Sequence, residues 1–399
     1  MTFLSFLFFW SRKRKERNYS IHGTAICDFN AVALVYKNIF LYKQAKDCTF
    51  ASQIRDYMNK IKFWLANSRT VSIPQSLLPA LTAIVFCIPQ EGFIAWLAIP
   101  VALGVCAAHL GMNLADDYFD YLQDSRSRKD VCSNSVRARM DKCHYIHSGK
   151  ASVRDLRNAI IVFLTIAAAM GLIAVVAQWI INGITAIFGI LLYALLGLFF
   201  GINYSGRPLR LCYYGLGELT IGLMFGPLLM LGVQAALTGT LFSWQMLCLS
   251  LAVGCLVINI LYVHSVMEVG ADAALDKMTF ARLLGSTKRM VAFVGIFAIL
   301  PFCLLGIGIC LHWWSAWYLL TLLTMPMSVY LVYSTYLYAN NLPRNDLPRW
   351  WMGPMGDWEK YKEAGVDWFL FRWLLARNTC TFFCLILILV SLLQQFVLR

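Results

Sequence analysis

The sequence predicts an all-α integral membrane protein of nine transmembrane helices, and three observations carry that prediction. Of its 399 residues 59% are hydrophobic and 14% charged, whereas an ordinary soluble domain is about a quarter charged. The apolar residues gather in nine runs, each near the ~20 residues that cross a bilayer. Lys and Arg fall almost entirely on one side of the map those runs draw. The net charge of +13, from 34 Lys and Arg against 21 Asp and Glu, therefore belongs to the loops of a membrane protein and not to a nucleic-acid interface. The 13 cysteines are odd in number, and most (Cys87, Cys106, Cys248, Cys255, Cys303, Cys310, Cys380, Cys384) sit inside apolar runs. They read as small reduced core residues, not as a disulfide framework.

Residues 1–70 are read as a basic, poorly structured cytosolic extension. Its apolar opening, Thr2 to Trp10, is too short to span, and Arg12, Lys13, Arg14 and Lys15 follow it, the wrong order for a secretory signal. That cluster suits anionic lipid headgroups. Residues 71–399 form the membrane domain, with spans at roughly 73–89, 93–115, 157–178, 181–203, 216–236, 244–266, 290–311, 314–337 and 372–397. The first contains Pro74, Pro79 and Pro89, which a membrane helix tolerates better than a soluble one. With these spans 33 of the 34 Lys and Arg lie on one side and Arg399 alone on the other. The positive-inside rule makes the basic side cytoplasmic.

Ionisable residues near membrane helices are costly and usually functional, so the placement of the acids matters more than their number. Two groups stand at the cytoplasmic ends of spans. The first, Asn113-Leu-Ala-Asp116-Asp117-Tyr118-Phe119-Asp120 with Asp124, continues out of the second span. At about 100° per residue Asn113, Asp117, Asp120 and Asp124 fall within about 60° of one another, one narrow stripe of a continued helix. The second, His264, Glu268, Asp272, Asp276 and Lys277, continues out of the sixth span, and there Glu268 and Asp272 converge while Asp276 turns aside. Carboxylates stacked one turn apart repel each other unless cations compensate. Hard oxygen ligands with incomplete protein coordination suit Mg²⁺, which keeps waters and bridges to phosphates, so a diphosphate substrate is the natural third party.

Between the fourth and fifth spans runs Tyr204-Ser-Gly-Arg207-Pro-Leu-Arg210, then Tyr213-Tyr214-Gly215-Leu-Gly-Glu218. Glycine and proline fix the turns here, so Arg207, together with Lys277, is a candidate to grip phosphate oxygens. The long connection 121–156 is read as a flexible lid. It carries Cys132, Cys143, His144 and His147, in a spacing that matches no standard zinc pattern.

These residues resemble a known family. The Asn113 to Asp120 run with Asp124 resembles the first aspartate-rich motif of the UbiA superfamily of intramembrane prenyltransferases. Glu268-x-x-x-Asp272, followed by Asp276-Lys277-Met-Thr279-Phe-Ala-Arg-Leu-Leu-Gly285, resembles the second. The likeness covers roughly 75–300. Within the superfamily, Tyr204-Ser-Gly-Arg207-Pro and Gly215-Leu-Gly-Glu218 look most like the 1,4-dihydroxy-2-naphthoate polyprenyltransferases of menaquinone synthesis. Three positions depart from that subgroup: Asp116 stands where Asn is common, Glu268 replaces an Asp, and His264 sits where Asn is frequent.

The resemblance implies nine helices around a central cavity, with a polyprenyl diphosphate held through Mg²⁺ and its tail in the apolar interior. It implies metal ligands Asn113, Asp117, Asp120, Asp124, Glu268 and Asp272, catalytic roles for Asp117, Asp120, Asp272, Arg207 and Lys277, and substrate contacts from Asn113, Tyr204, Arg207, Lys277 and His264. The aromatic acceptor would be 1,4-dihydroxy-2-naphthoate, prenylated with loss of carbon dioxide, on the cytoplasmic side of a bacterial plasma membrane. Two alternatives stay open: a UbiA-type enzyme for another acceptor (4-hydroxybenzoate, haem, chlorophyllide, glycerol phosphate), and a cation-coupled transporter. A transporter places its acids near the midplane. A CDP-alcohol phosphotransferase is excluded by the absence of any Asp-Gly dipeptide.

Overall fold

The computed structural model describes residues 55–123, 143–274 and 277–396. The chain divides into two units, 1–63 and 64–399. Of the first, residues 55–63 are described and are helical, a helix the sequence reading did not assign. The Thr2–Trp10 run and the Arg12–Lys15 cluster lie outside the described residues, as do Asp124, Cys132 and Asp276.

Among the described residues of the second unit nine helices are long and apolar enough to cross a membrane: α1 Thr70–Cys87, α2 Ala95–Leu122, α3 Val153–Asn182, α4 Ile184–Ser205, α5 Gly217–Thr238, α6 Trp244–Met267, α7 Thr287–Cys310, α8 Ala316–Ala339 and α9 Asp367–Phe396. The described residues contain no strand, only an isolated parallel bridge between Tyr214 and Met278. All nine predicted spans are present, and their ends move where polar residues prolong a helix. Regular helix continues to Gln123 after α2, so the first acidic run is helical. The start of α3 is set by a capping box: the Ser152 amide donates to Asp155 Oδ2 at 2.9 Å and the Asp155 amide to Ser152 Oγ at 3.2 Å.

The core centres on α6, which packs on α5, α7, α8 and α9. Its most apolar stretch is 83% buried, against 11% for α3. A helix apolar on every side can be enclosed by protein or by lipid, and these two spans take the two options. Close approach of α5 to α6 depends on small residues, as is common between membrane helices. A Cβ on Gly226 would lie 2.5 Å from the Ser250 carbonyl oxygen, and one on Gly254 2.8 Å from that of Gly222. In the same stretch α5 widens into a π-helical turn, Met224–Leu228. Pro227 lies inside it and has no N–H with which to continue the α-helical ladder.

The second acidic group departs from the expected continuous helix. α6 stops at Met267, Glu268 stands at the break (φ −108°, ψ 19°), and a separate turn covers Val269–Ala274. Gly270, a poor helix former, lies in that turn.

Candidate active site

Four carboxylates are buried at these helix ends: Asp117 at 2% exposure, Asp120 at 4%, Glu268 at 4% and Asp272 at 0%. Burying a charge is costly unless it is paired and hydrogen-bonded, so their partners define the site. Arg69, in the left-handed conformation (φ 60°) just before α1, forks between Asp117 Oδ1, with which it forms an ion pair, and Asp116 Oδ2 at 3.5 Å. Desolvation opposes the charge on Arg69, but Asp117, Asp116 and Asp120 together hold the guanidinium well above its ordinary pKa. Tyr145 donates its hydroxyl to Asp117 Oδ2 at 3.2 Å, and Cys143 Sγ–H donates to the Asp117 carbonyl at 3.3 Å. Burial first, and then Asp117, push the Tyr145 phenol far up, so it stays a donor. Ser205, at the end of α4, donates to Asp116 Oδ1.

Asp120 accepts from the Tyr213 hydroxyl at 2.8 Å. The Tyr213 ring carries two cations on its face, Arg210 with its guanidinium carbon 4.3 Å from the centroid and Lys277 with Nζ 5.8 Å away. Tyr213 therefore links the first acidic run to the basic residue of the second. Cys212 beside it feels both sides. Burial pushes its thiol up to about 11, with Lys277 pulling down and Asp116 and Asp120 pushing up.

The second motif is stapled to the α4–α5 connection. Gly215 N–H donates to the Met278 carbonyl at 2.6 Å, and Phe280 N–H is 3.3 Å from both Glu218 oxygens. Arg282 Nη1 donates to the Lys277 carbonyl at 2.7 Å and to the Asp272 carbonyl at 3.3 Å. His264 Nε2 is 2.9 Å from Glu268 Oε2, and its ring meets Phe369 edge to face at 4.9 Å. From the far side the Tyr338 hydroxyl donates to the Met267 carbonyl at 3.0 Å, where α6 ends.

The structure thus brings Asp120 and Lys277 to Tyr213, holds Asp117 against Arg69 and Tyr145, and pairs Glu268 with His264. Tyr204 packs beside Gly217, whose Cβ would lie 3.6 Å from the ring. Asn113 donates through Nδ2 to the Ser68 carbonyl at 3.0 Å and to Ser72 Oγ at 3.1 Å, which turns its carbonyl oxygen to acceptor duty. Arg207 is exposed and has no hydrogen bond or ion pair among the described residues; Arg210, three residues on, is the arginine that reaches Tyr213. The sequence reading missed Arg69, Tyr145, Ser205 and Tyr213 as partners of the acids. Tyr213 was visible in the Tyr213-Tyr214-Gly215 run, and Arg69 as the basic residue nearest the first span.

Among the described residues no three His, Cys, Asp or Glu side chains converge closely enough to cage a metal by themselves. The donors are oxygens only, and a carboxylate has about four lone-pair sites, of which one hydrogen bond takes one. Mg²⁺ binds through one or two carboxylates plus substrate phosphates and not in an all-protein cage, so the donor chemistry fits a magnesium ion that arrives with its substrate.

A model of the UbiA prenyltransferase family matches residues 76–353, a stretch that holds both acidic motifs and the connection that joins them. The chain belongs to the UbiA prenyltransferase family. Among its relatives is a 1,4-dihydroxy-2-naphthoate octaprenyltransferase of Mycobacterium tuberculosis, 25% identical over 258 residues, which are 61% of this chain and 81% of that one. Another is a 2-carboxy-1,4-naphthoquinone phytyltransferase of a Synechocystis species, 32% identical over 139 residues, 34% of this chain and 43% of that one. A solved structure of a digeranylgeranylglyceryl phosphate synthase superposes with a TM-score of 0.52 at 15% identity, covering 84% of this chain and 99% of the other. That likeness is one of fold: the all-helical UbiA bundle.

Proposed function

We propose that this UbiA-family protein transfers a polyprenyl group from an allylic diphosphate to 1,4-dihydroxy-2-naphthoate, with loss of carbon dioxide, as a step of menaquinone synthesis at the cytoplasmic face of a bacterial plasma membrane. The observation that carries the reaction class is the set of four buried carboxylates on α2 and just beyond α6, with Lys277 and Arg210 on the ring of Tyr213, whose hydroxyl donates to Asp120. The acceptor is supported by relatives named for naphthoate and naphthoquinone substrates and by the Tyr204–Arg210 and Gly215–Glu218 runs.

Asn113, Asp117, Asp120, Glu268 and Asp272 would hold the magnesium ion, which supplies charge stabilisation to the departing diphosphate. The chain's own cations do the rest at the leaving group: Lys277 and Arg210 stand where phosphate oxygens meet the acids, and their charge favours the state in which the C1–O bond has broken and its electron pair has gone to diphosphate. Tyr213 fixes both cations and Asp120 by one hydroxyl and one ring face. The allylic cation left behind is attacked by an acceptor ring carbon, the new C–C bond forms, and the carboxylate leaves as carbon dioxide. Buried surroundings keep water from capturing the cation.

The test is to incubate the purified protein with Mg²⁺, a polyprenyl diphosphate and a panel of aromatic and glycerol phosphate acceptors, reading products by mass. The expected product is the prenylated naphthalenediol lacking the carboxyl group, with one diphosphate released per turnover. Product on a different acceptor alone would reassign the substrate, and absence of diphosphate release would defeat the reaction class.

A further inference from the structure

The second acidic group sits where α6 gives out, on a segment with little helical stability of its own. Beyond the break only six residues, Val269–Ala274, are helical, with Gly270 among them, and so short a helix is unstable by itself. Glu268 lies between α6 and that turn, so the direction of its side chain depends on what fixes the peptide unit ahead of it. Both sides of that unit are tied. The Glu268 N–H donates to the His264 carbonyl at 3.0 Å, and the Met267 carbonyl, at the end of a helix where carbonyls run out of intrahelical donors, accepts from the Tyr338 hydroxyl at 3.0 Å. Because a peptide is planar, hydrogen bonds on its two opposite sides set its tilt, and the Glu268 Cα goes with it.

Tyr338, in the last turn of α8, is itself held from α9. Its ring lies parallel to Trp368, with planes at 1° and centroids 5.6 Å apart, and the Arg372 guanidinium carbon is 4.9 Å from its centroid. Arg372 is wholly buried and donates to the Trp368 carbonyl at 2.6 Å and to both Asp346 oxygens at 2.9 and 3.1 Å. Phe369, the next residue after Trp368, opens a second route: its ring meets His264 edge to face at 4.9 Å, and His264 Nε2 lies 2.9 Å from Glu268 Oε2. One dipeptide at the start of α9 thus reaches the backbone of Glu268 through Tyr338 and its carboxylate through His264. Trp368, Phe369 and Arg372 all fall beyond residues 76–353, the stretch that the family model matches, so this support is not part of the pattern that identifies the family.

We propose that Tyr338, held by Trp368 and Arg372, is a positioning residue that aims the Glu268 carboxylate at the magnesium ion of the donor diphosphate, while Phe369 orients its partner His264. This rests on the reading of Glu268 as a metal ligand of a prenyltransferase. It makes the last span a working part of the site, on which metal affinity depends as well as stability.

The experiment measures Mg²⁺ binding to the full-length protein in detergent, as the rise in unfolding temperature with Mg²⁺ in the presence of an unreactive prenyl thiolodiphosphate. It compares wild type, Tyr338→Phe, Glu268→Gln and the double variant. Tyr338→Phe removes one hydroxyl and keeps the ring against which Trp368 and Arg372 lie. The inference expects the apparent Kd for Mg²⁺ to rise about three- to tenfold in Tyr338→Phe, the size of one hydrogen bond. In the Glu268→Gln background, where Asp117, Asp120 and the diphosphate still hold the ion, the same substitution should change Kd less than twofold, because its effect passes through the carboxylate already removed. A role in folding alone gives a different pattern: a lower unfolding temperature without ligand, and a change of Kd, if any, equal in the two backgrounds. Phe369→Leu withdraws the ring edge from His264 and leaves Tyr338 in place; it reads the same loss through the other route, and decides the matter if Tyr338→Phe yields no folded protein. A Kd within about twofold of wild type, or a loss that keeps its full size beside Glu268→Gln, overturns the inference and leaves the prenyltransferase reading standing. A wild type whose unfolding temperature does not respond to Mg²⁺ with the thiolodiphosphate overturns both.

Discussion

Asp272→Asn separates a catalytic carboxylate from a structural one, because the two roles predict opposite pairs of results. Asp272 is fully buried, and its amide donates to the Glu268 carbonyl at 2.8 Å, so the two acids are one helical turn apart. Side chains so placed are about 6 Å from each other, and two like charges at that distance repel by about 3 kcal/mol at an effective dielectric of ~20. His264 Nε2 lies 2.9 Å from Glu268 Oε2, and Lys277 and Arg282 fold back on the same loop. Replacing one carboxylate by an amide of the same shape gives up attraction and repulsion of similar size, so stability should move by no more than about 1 kcal/mol. Turnover is another matter: loss of one preorganised charge-stabilising group costs on the order of 100- to 1,000-fold in kcat, about 2.7–4 kcal/mol. The assay is diphosphate release with Mg²⁺, run beside thermal unfolding in the same detergent. Mg²⁺ plus prenyl diphosphate at 100 times Kd should stabilise the wild type by about 2.7 kcal/mol and the variant hardly at all. Two results would refute the reasoning: a kcat within tenfold of wild type, or an activity loss matched by destabilisation above about 3 kcal/mol with the ligand-induced stabilisation retained.

Tyr213→Phe deletes the donor to Asp120 while leaving the ring face for Arg210 and Lys277; a hydrogen bond to a charged group is worth about 1.5–3 kcal/mol, so kcat/KM for the diphosphate donor should fall about 10- to 100-fold, measured by initial rates. Gly226→Val drives a side chain against the Ser250 carbonyl, 2.5 Å from where its Cβ must sit, and should lower stability by about 1–3 kcal/mol or more, read as a reduced melting temperature. Arg372→Ala removes a wholly buried guanidinium that donates to both Asp346 oxygens at 2.9 and 3.1 Å and to the Ser334 carbonyl at 3.1 Å; breaking a buried pair costs about 3–5 kcal/mol, so this variant should unfold at markedly lower temperature.

The spans were legible because a bilayer imposes one requirement on every residue that crosses it, and nine apolar runs with one-sided Lys and Arg satisfy it in a single way. Asp117, Asp120, Glu268 and Asp272 were legible for the converse reason: the runs of spaced acids would repel one another at a membrane boundary without a cationic partner. Their protein partners lie in the sequence in plain view, but which acid each one meets is set by tertiary packing. Arg69 meets Asp116 and Asp117 from 47 and 48 residues away, and in sequence it is one of several basic residues ahead of the first span. Arg207 and Arg210 lie in one short run, and the pattern offers no means of ranking them. The chain separates them by a left-handed turn at Arg210 (φ 45°) that carries its guanidinium over Tyr213. The break after α6 was hidden too, since a helical reading of Glu268 and Asp272 looks the same whether or not the backbone relaxes at one residue between.

The depth of the charges also decides between prenyl transfer and the transport alternative. An ion relay needs protonatable groups handed along a path through the midplane, on interrupted helices. Here the interruption after α6 falls at its end, and the buried carboxylates sit at that end and at the end of α2, where Tyr213 donates to Asp120 and Arg69 pairs with Asp117. Further in, α6 is almost wholly buried, and His109 is held between two serines of α1 and an aromatic ring. Charge gathered at one boundary with a largely apolar interior behind it suits a substrate that is itself divided that way: an anionic head at the boundary and a hydrocarbon tail in the bilayer. A small cation has no use for that division, whereas an isoprenoid diphosphate requires it.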